Sequence, residues 1–210
     1  MPIVDLVRHG RIAENLDPKL LQCRANNVEL TEQGFTQAQL LGEYWKGRGV
    51  VPDYIWSSPA IRCIQTANKV CKVLGIPSNR IQIDDGLHEI DQGDWEGVVR
   101  EEVQTPEKMF EINADVWNFA PPNGESLKMV GARMEKTINR LTAPFDIEDN
   151  TRIAVFTHSF AKKCYLKDKL GLNVDELLAW YIHETGVSRL RKTMATIEVD
   201  FLNNIGHLAR

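Results

Sequence analysis

The sequence has no apolar run long enough to cross a membrane, no glycine-rich nucleotide fingerprint and no surplus of basic charge. Each absence removes a class of function. A membrane helix needs about 18 or more consecutive apolar residues, so no membrane partner is expected. Without G-x-x-x-x-G-K-[ST] or G-x-G-x-x-G, neither a phosphate-cradling P-loop nor a dinucleotide cofactor is indicated. A formal net charge of -4 leaves no field for non-specific nucleic-acid binding. The four cysteines, Cys23, Cys63, Cys71 and Cys164, include no C-x-x-C pair and no histidine at zinc-finger spacing. Cys63 and Cys71 fall on one predicted helix about 12 Å apart, too far to bridge. Reduced, structural thiols are expected. With no signal-peptide pattern, glycosylation acceptor or lipidation box, the expected location is cytoplasmic.

What is present suffices for one globular domain over residues 1–210: 43% of residues are hydrophobic and 26% charged. Residues 3–7 read as a mostly buried strand broken only by Asp5. Thr31 reads as the N-cap of a helix with Ala38, Leu41 and Trp45 inward, stopped by Gly47 and Gly49. A second strand through Ile55 and Trp56 is followed by a Ser58 cap, Pro59 at the first helical position and a stripe of Ile64, Ala67, Cys71 and Leu74. "RIQIDD" and "RIAVFTHS" are further strands, the latter feeding a helix over 160–170 that Gly171 ends. Leu127, Val130, Met134, Ile138 and Leu141 keep a helical period, and "VSRLRKTMATIEVDF" alternates as two strands around a turn. Strands alternating with helices predict an α/β layered domain with a largely parallel sheet.

Residues 98–125 differ, with three prolines, three aromatics and six acidic residues against Arg100 and Lys108. The excess of four negative charges equals that of the whole chain. This segment reads as an inserted helical cap over the C-terminal edge of the sheet, where α/β ligand sites lie.

Three strand ends carry the chemistry. Arg8 and His9 end the first, Arg62 follows the second within about a helical turn, and His158 ends the fourth. Two guanidinium groups and two imidazoles suit a tetrahedral phosphoryl group, which arginine binds through planar, permanently charged donors. An imidazole can also form a covalent intermediate. An acid for the leaving oxygen is offered by Glu89, with Asp91, Asp94 and Glu96 as competitors. Gly10 is read as permitting close backbone approach to a bound group. His88 and His183 read as packing or surface histidines, and His207 as frayed.

In order along the chain, "LVRHG" with Asn15, "LTEQGFTQA", "SSPAIRCIQTA", "LHEIDQGDWEG", "PPNGES" and "THS" resemble the histidine phosphatase superfamily, the phosphoglycerate-mutase-like proteins with an R-H-G signature. The resemblance implies a three-layer α/β/α sandwich with a mostly parallel central sheet and a helical cap. It also implies a phosphorylated substrate and no cofactor or metal, because the basic side chains supply the electrostatic stabilisation. By resemblance, His9 is the nucleophile that becomes phosphohistidine, Arg8 and Arg62 clamp the phosphate, and Asn15 is a lesser contact. His158 is the second pocket histidine, and Glu89 the proton donor and later the base for water. Three departures stand out: Ile12 replaces a usual threonine, Ser159 and Phe160 replace two glycines, and "LQCRANNVE" lacks a Gly and an Asp typical of mutases. Ser159 can still offer an N–H or hydroxyl to phosphate.

The phosphatase branch is the principal expectation, and phosphoglycerate mutase the alternative. A serine esterase using Ser159 in "FTHSFA", with Asp168, His183 or His207 as partners, and a non-catalytic binding module complete the set. The oligomeric state is open, a homodimer included.

Overall fold

Residues Ile3–Arg8 form β1, and alternation along it assigns each side chain to a face. Val4 and Leu6 enter one core and Val7 the other. In β4 (Arg152–Thr157), Ile153 and Val155 join the first core, Ala154 and Phe156 the second. The computed structural model describes residues 1–13, 20–21, 24–25, 27–193 and 196–209.

Four further strands complete the sheet among the described residues: β2 (Tyr54–Ser57), β3 (Ile81–Ile83), β5 (Val187–Lys192) and β6 (Ile197–Asn204). Their order is β3-β2-β4-β1-β5-β6. The β3–β2, β2–β4 and β4–β1 pairs are parallel, and β1–β5 and β5–β6 antiparallel. Two helices, α1 (Glu32–Gly47) and α2 (Ile61–Leu74), cover the face with Val7. The short α3 (Arg100–Val103) and α4 (Pro106–Ala114) follow in the acidic segment. The other face is covered by α5 (Leu127–Thr142), α6 (Ser159–Leu170) and α7 (Val174–Ala179). This is the expected α/β/α arrangement with a mostly parallel sheet.

Sequence and structure agree on most boundaries for local reasons. The Thr31 hydroxyl accepts from Gly34 N–H at 3.1 Å and caps α1. Left-handed glycines at Gly75 and Gly171 end α2 and α6. The start of α2 differs: its N-cap is Ala60, with no side-chain cap bond, and Pro59 lies before the helix. Its inward face also turns, burying Cys63, Thr66, Ala67, Val70 and Cys71 and leaving Ile64 and Leu74 partly exposed. Cys63, Cys71 and Cys164 are free and buried, while Cys23 lies outside the described residues.

Asp5 is fully buried in β1 and accepts from Arg189 Nε at 2.7 Å and Nη2 at 3.1 Å. This bidentate geometry is what lets a carboxylate remain in the sheet. In the acidic segment, the Thr105 hydroxyl caps α4, which buries none of its residues and leaves Phe110 81% exposed. Among the described residues, no helix is long and apolar enough to cross a membrane.

Candidate active site

The parallel register of β1 and β4 pairs Arg8 with Thr157, so the residues after them, His9 and His158, emerge side by side. His9 N–H donates to Thr157 O at 3.0 Å, and Ser58 N–H at the end of β2 to Phe156 O at 2.9 Å. Three strand ends thus meet at one place. The two imidazoles are buried, with ring centroids 5.3 Å apart and edge-on.

Hydrogen bonding assigns their protons. His9 Nδ1 lies 2.8 Å from Gly10 O, and a carbonyl only accepts, so Nδ1 carries the hydrogen and Nε2 keeps its lone pair. Burial, then Arg62 and Arg8, hold His9 well below the usual imidazole range, which keeps that lone pair unprotonated. His158 takes the opposite tautomer. Arg62 Nη2 donates to its Nδ1 at 3.2 Å, so Nε2–H donates to Ser58 Oγ at 2.8 Å. Burial first, then Arg62 and His9, keep His158 neutral as well. Ser58, expected only as a helix cap, therefore orients an imidazole.

Arg8, His9, Ile12, Arg62, Glu89, Ser159 and Phe160 share the wall of one cavity of about 290 Å³. Arg62 is buried and its Nη1 also donates to Ala25 O. Arg8 donates to Ile182 O and pairs with Glu184 at 3.3 Å, so its guanidinium links the cavity to the segment before β5. Ser159 opens α6 on the cavity wall. Asn15 lies outside the described residues. No group of three or more His, Cys, Asp or Glu side chains placed to hold a metal occurs among the described residues.

Of the four carboxylates in "LHEIDQGDWEG", Glu89 is the one lining this cavity. Its Oε1 accepts from Ile90 and Ala161 N–H at 3.1 and 2.9 Å, and Oε2 from Phe160 N–H at 3.1 Å. Burial raises its pKa against those N–H bonds and Arg62, favouring a proton on the carboxyl. The competitors are engaged elsewhere. Asp91 pairs with Arg24, Asp94 accepts from Asn123, and Glu96 accepts from Arg24 and Ala25 N–H.

The sequence reading missed several supports. Arg133 pairs bidentately with Glu125 and donates through Nη1 to Gly86 O and His88 O at 2.9 and 3.0 Å, fixing the backbone that presents Glu89. Gly10 gives its Cβ space to protein: a Cβ there would lie 2.6 Å from Gly34 O, and one on Gly34 would lie 2.2 Å from Arg11 O. The paired glycines in "RHG" and "LTEQG" let α1 press against the His9 loop. Thr185 N–H donates to Arg8 O at 3.1 Å and His9 O at 3.3 Å, and its hydroxyl is 2.7 Å from His207 Nε2. His207 is thus buried and engaged, where fraying was expected. No histidine hydrogen-bonds the Ser159 hydroxyl among the described residues, and His183 meets the Tyr181 ring edge-on, so the esterase arrangement is not assembled.

A family model described as histidine phosphatase superfamily (branch 1) matches residues 4–205. A 2,3-bisphosphoglycerate-dependent phosphoglycerate mutase of Mesorhizobium japonicum is 35% identical over 133 residues, 61% of this chain and 63% of its own. The chain thus spans less than two thirds of that relative. The mutase of the same name from Brucella melitensis is 30% identical over 186 residues, 87% of each chain. Among solved structures, Bacillus stearothermophilus YhfR superposes with a TM-score of 0.82 at 24% identity, covering 99% of this chain and 100% of that one. Phosphoserine phosphatase of Entamoeba histolytica gives 0.80 at 23%, with the same coverage. At such identities these two likenesses speak for the fold. The six ordered motifs, the sheet order and the match over nearly the whole length agree: the chain belongs to the histidine phosphatase superfamily, branch 1.

Proposed function

We propose that this protein is a metal-independent phosphatase that hydrolyses a phosphomonoester through a phosphohistidine on His9. The observation that carries this reading is the His9 tautomer: Nδ1–H is spent on Gly10 O, leaving the Nε2 lone pair for a cavity walled by two arginines and a carboxyl group. Nε2 attacks phosphorus, the N–P bond forms, and the bond to the leaving oxygen breaks as Glu89 gives that oxygen its proton. Arg8 and Arg62 hold the phosphoryl oxygens while charge redistributes. Glu89, now a carboxylate, takes a proton from water, whose oxygen attacks phosphorus and releases the imidazole. Ser159 at the start of α6 adds an N–H or hydroxyl to the oxyanion cradle. His158, expected among the residues around the phosphate, instead lies off the cavity wall with Nε2–H on Ser58 and Nδ1 accepting from Arg62, and so acts by positioning Arg62.

A second cavity of about 150 Å³ shares Phe160 with the first and is lined by Trp95, Ile112, Phe119 and Leu178. Its Glu125 is neutralised by Arg133. This favours an uncharged, partly apolar leaving group under residues 98–125 acting as a cap. The test is a phosphatase panel in EDTA on wild type and His9→Ala, with acid-quench detection of a phosphoenzyme. Turnover and phosphoenzyme in wild type alone are expected. Phosphate release from a polyphosphorylated sugar equal to that from an aryl phosphate argues against the apolar substrate class.

The mutase names of the curated relatives favour a second reading, phosphoglycerate mutase. It shares the first half-reaction but retains the phosphoryl group. Conversion of 3-phosphoglycerate to 2-phosphoglycerate with a bisphosphoglycerate primer, at rates above phosphate release, decides for it.

A further inference from the structure

Helix α6 carries a lysine where its surroundings call for an apolar side chain. Lys162 is 0% exposed, among the buried Ala161, Tyr165 and Leu166 of the same helix. A methionine would fill the same length with no ammonium to desolvate, so the charge is a cost the fold does not need for packing. Nζ donates to Gly186 O at 2.7 Å, its one hydrogen bond among the described residues.

That carbonyl is a junction. Gly186 O also accepts Arg8 N–H at 3.3 Å, and the preceding Thr185 N–H donates to Arg8 O and His9 O. Lys162 is therefore one atom removed from the backbone that carries both Arg8 and His9. The ionisable groups about the junction are Arg8 and His9 at the end of β1, and Glu184 ahead of Gly186, paired with Arg8. His207 bonds Thr185, and His158 and Lys163 stand on the same end of α6. Burial and, second, the Arg8 charge push the Lys162 ammonium down to about 7, so a nearby dianion decides whether it holds its proton at neutral pH.

We propose that Lys162 is a third cation of the oxyanion site, a positioning residue that touches no ligand. From behind Arg8 and His9 it braces the Gly186 carbonyl, and it is protonated when a tetrahedral dianion occupies the cavity. The empty site sets Lys162 against the like charge of Arg8. The bound dianion removes that conflict, so anion binding and protonation of Lys162 reinforce each other. The proposal rests on the reading of this cavity as a phosphoryl site. It does not require turnover.

Calorimetry with sulfate, whose charge is constant across the neutral range, tests it on wild type, Lys162→Met and Lys162→Arg. Wild type is expected to take up protons on binding sulfate at about pH 7.5, read as a dependence of the heat on buffer ionisation enthalpy. Lys162→Met should take up fewer and bind about tenfold more weakly, yet resist urea as well as wild type, because an apolar isostere replaces a buried charge. Lys162→Arg should recover part of the affinity. Equal affinity and equal proton uptake in wild type and Lys162→Met overturns the proposal. Should Lys162→Met not fold, absence of proton uptake in wild type does the same. Sulfate binding without phosphatase activity would sink the hydrolytic reading and leave this one standing.

Discussion

His9 and Gly10 are joined by a bond within one dipeptide: the imidazole Nδ1–H donates to the carbonyl of the next residue at 2.8 Å. Burial first, then the charges of Arg62 and Arg8, outweigh this bond, which alone would favour the charged ring, so His9 resists protonation, as does His158 behind it. The consequence for stability has a definite sign. Below about pH 6.5 the unfolded chain protonates both imidazoles and the folded chain does not, so the unfolded state binds more protons. Stability contributed above that pH is lost as pH falls toward the lowered folded values, by about 1.4 kcal/mol per pH unit for each histidine. Urea midpoints measured at about pH 7.5 and 5.5 should show the decline, and His158→Gln should show a shallower one. An equal slope in the variant would mean that His158 titrates normally in the folded protein.

Glu89 shifts in the opposite direction, and its role as acid ties that shift to activity. Burial raises its pKa above the ordinary 4.5, so kcat/KM should fall as pH rises through the raised value and the acid is lost. Glu89→Gln keeps the shape but carries no transferable proton. It should lose about 10²–10⁴-fold in kcat/KM on an alkyl phosphate, whose alkoxide leaves poorly, and much less in kcat/KM on p-nitrophenyl phosphate, while the later hydrolysis of phosphohistidine, which needs Glu89 as base, slows alike for both. Equal losses in kcat/KM on the two substrates would move the acid to another group.

Gly34 predicts a coupling between a helix and the nucleophile loop. A Cβ there would lie 2.2 Å from Arg11 O, the carbonyl that also accepts from Thr31 N–H at 2.9 Å, so Gly34→Ala must move either α1 or the loop holding His9. The expected cost is about 1–3 kcal/mol of stability together with at least a tenfold fall in kcat. Gly47→Ala, whose Cβ meets nothing within 4 Å, is the control and should leave both unchanged. Normal kcat in Gly34→Ala would show that the loop tolerates the shift.

Much of this site was legible because its residues sit where apolar runs end. Arg8 ends a buried strand, His9 and His158 each follow one directly, and Arg62 and Glu89 stand in motifs recognisable by order. What was not legible depends on partners distant in sequence. Ser58 looked like a cap because serine before a helix usually is one, but its hydroxyl meets an imidazole 100 residues away. The helix itself, α2, begins only at Ile61, and its buried face includes Cys63 rather than Ile64. Gly10 and Gly34 explain each other only once β1 and α1 are folded together. Asp5 looked like a flaw in a strand until Arg189 reached it from β5.

Arg133 offers the sharpest separation of support from chemistry. It has no place on the cavity wall, yet it pairs with Glu125 at 2.8 Å and donates to the carbonyls of Gly86 and His88 on the strand of chain that ends in Glu89. Arg133→Met removes those donors and leaves the partly buried Glu125 without its cation, for a loss of about 1–3 kcal/mol in stability. If the backbone bonds matter for placing the acid, kcat/KM on an alkyl phosphate should fall about tenfold and kcat/KM on p-nitrophenyl phosphate should be largely spared, following Glu89→Gln. The double variant Arg133→Met with Glu89→Gln should then be no slower than Glu89→Gln alone, since an arginine that works only through Glu89 has nothing further to lose. Additive losses in that cycle would show that Arg133 acts on the site by another route.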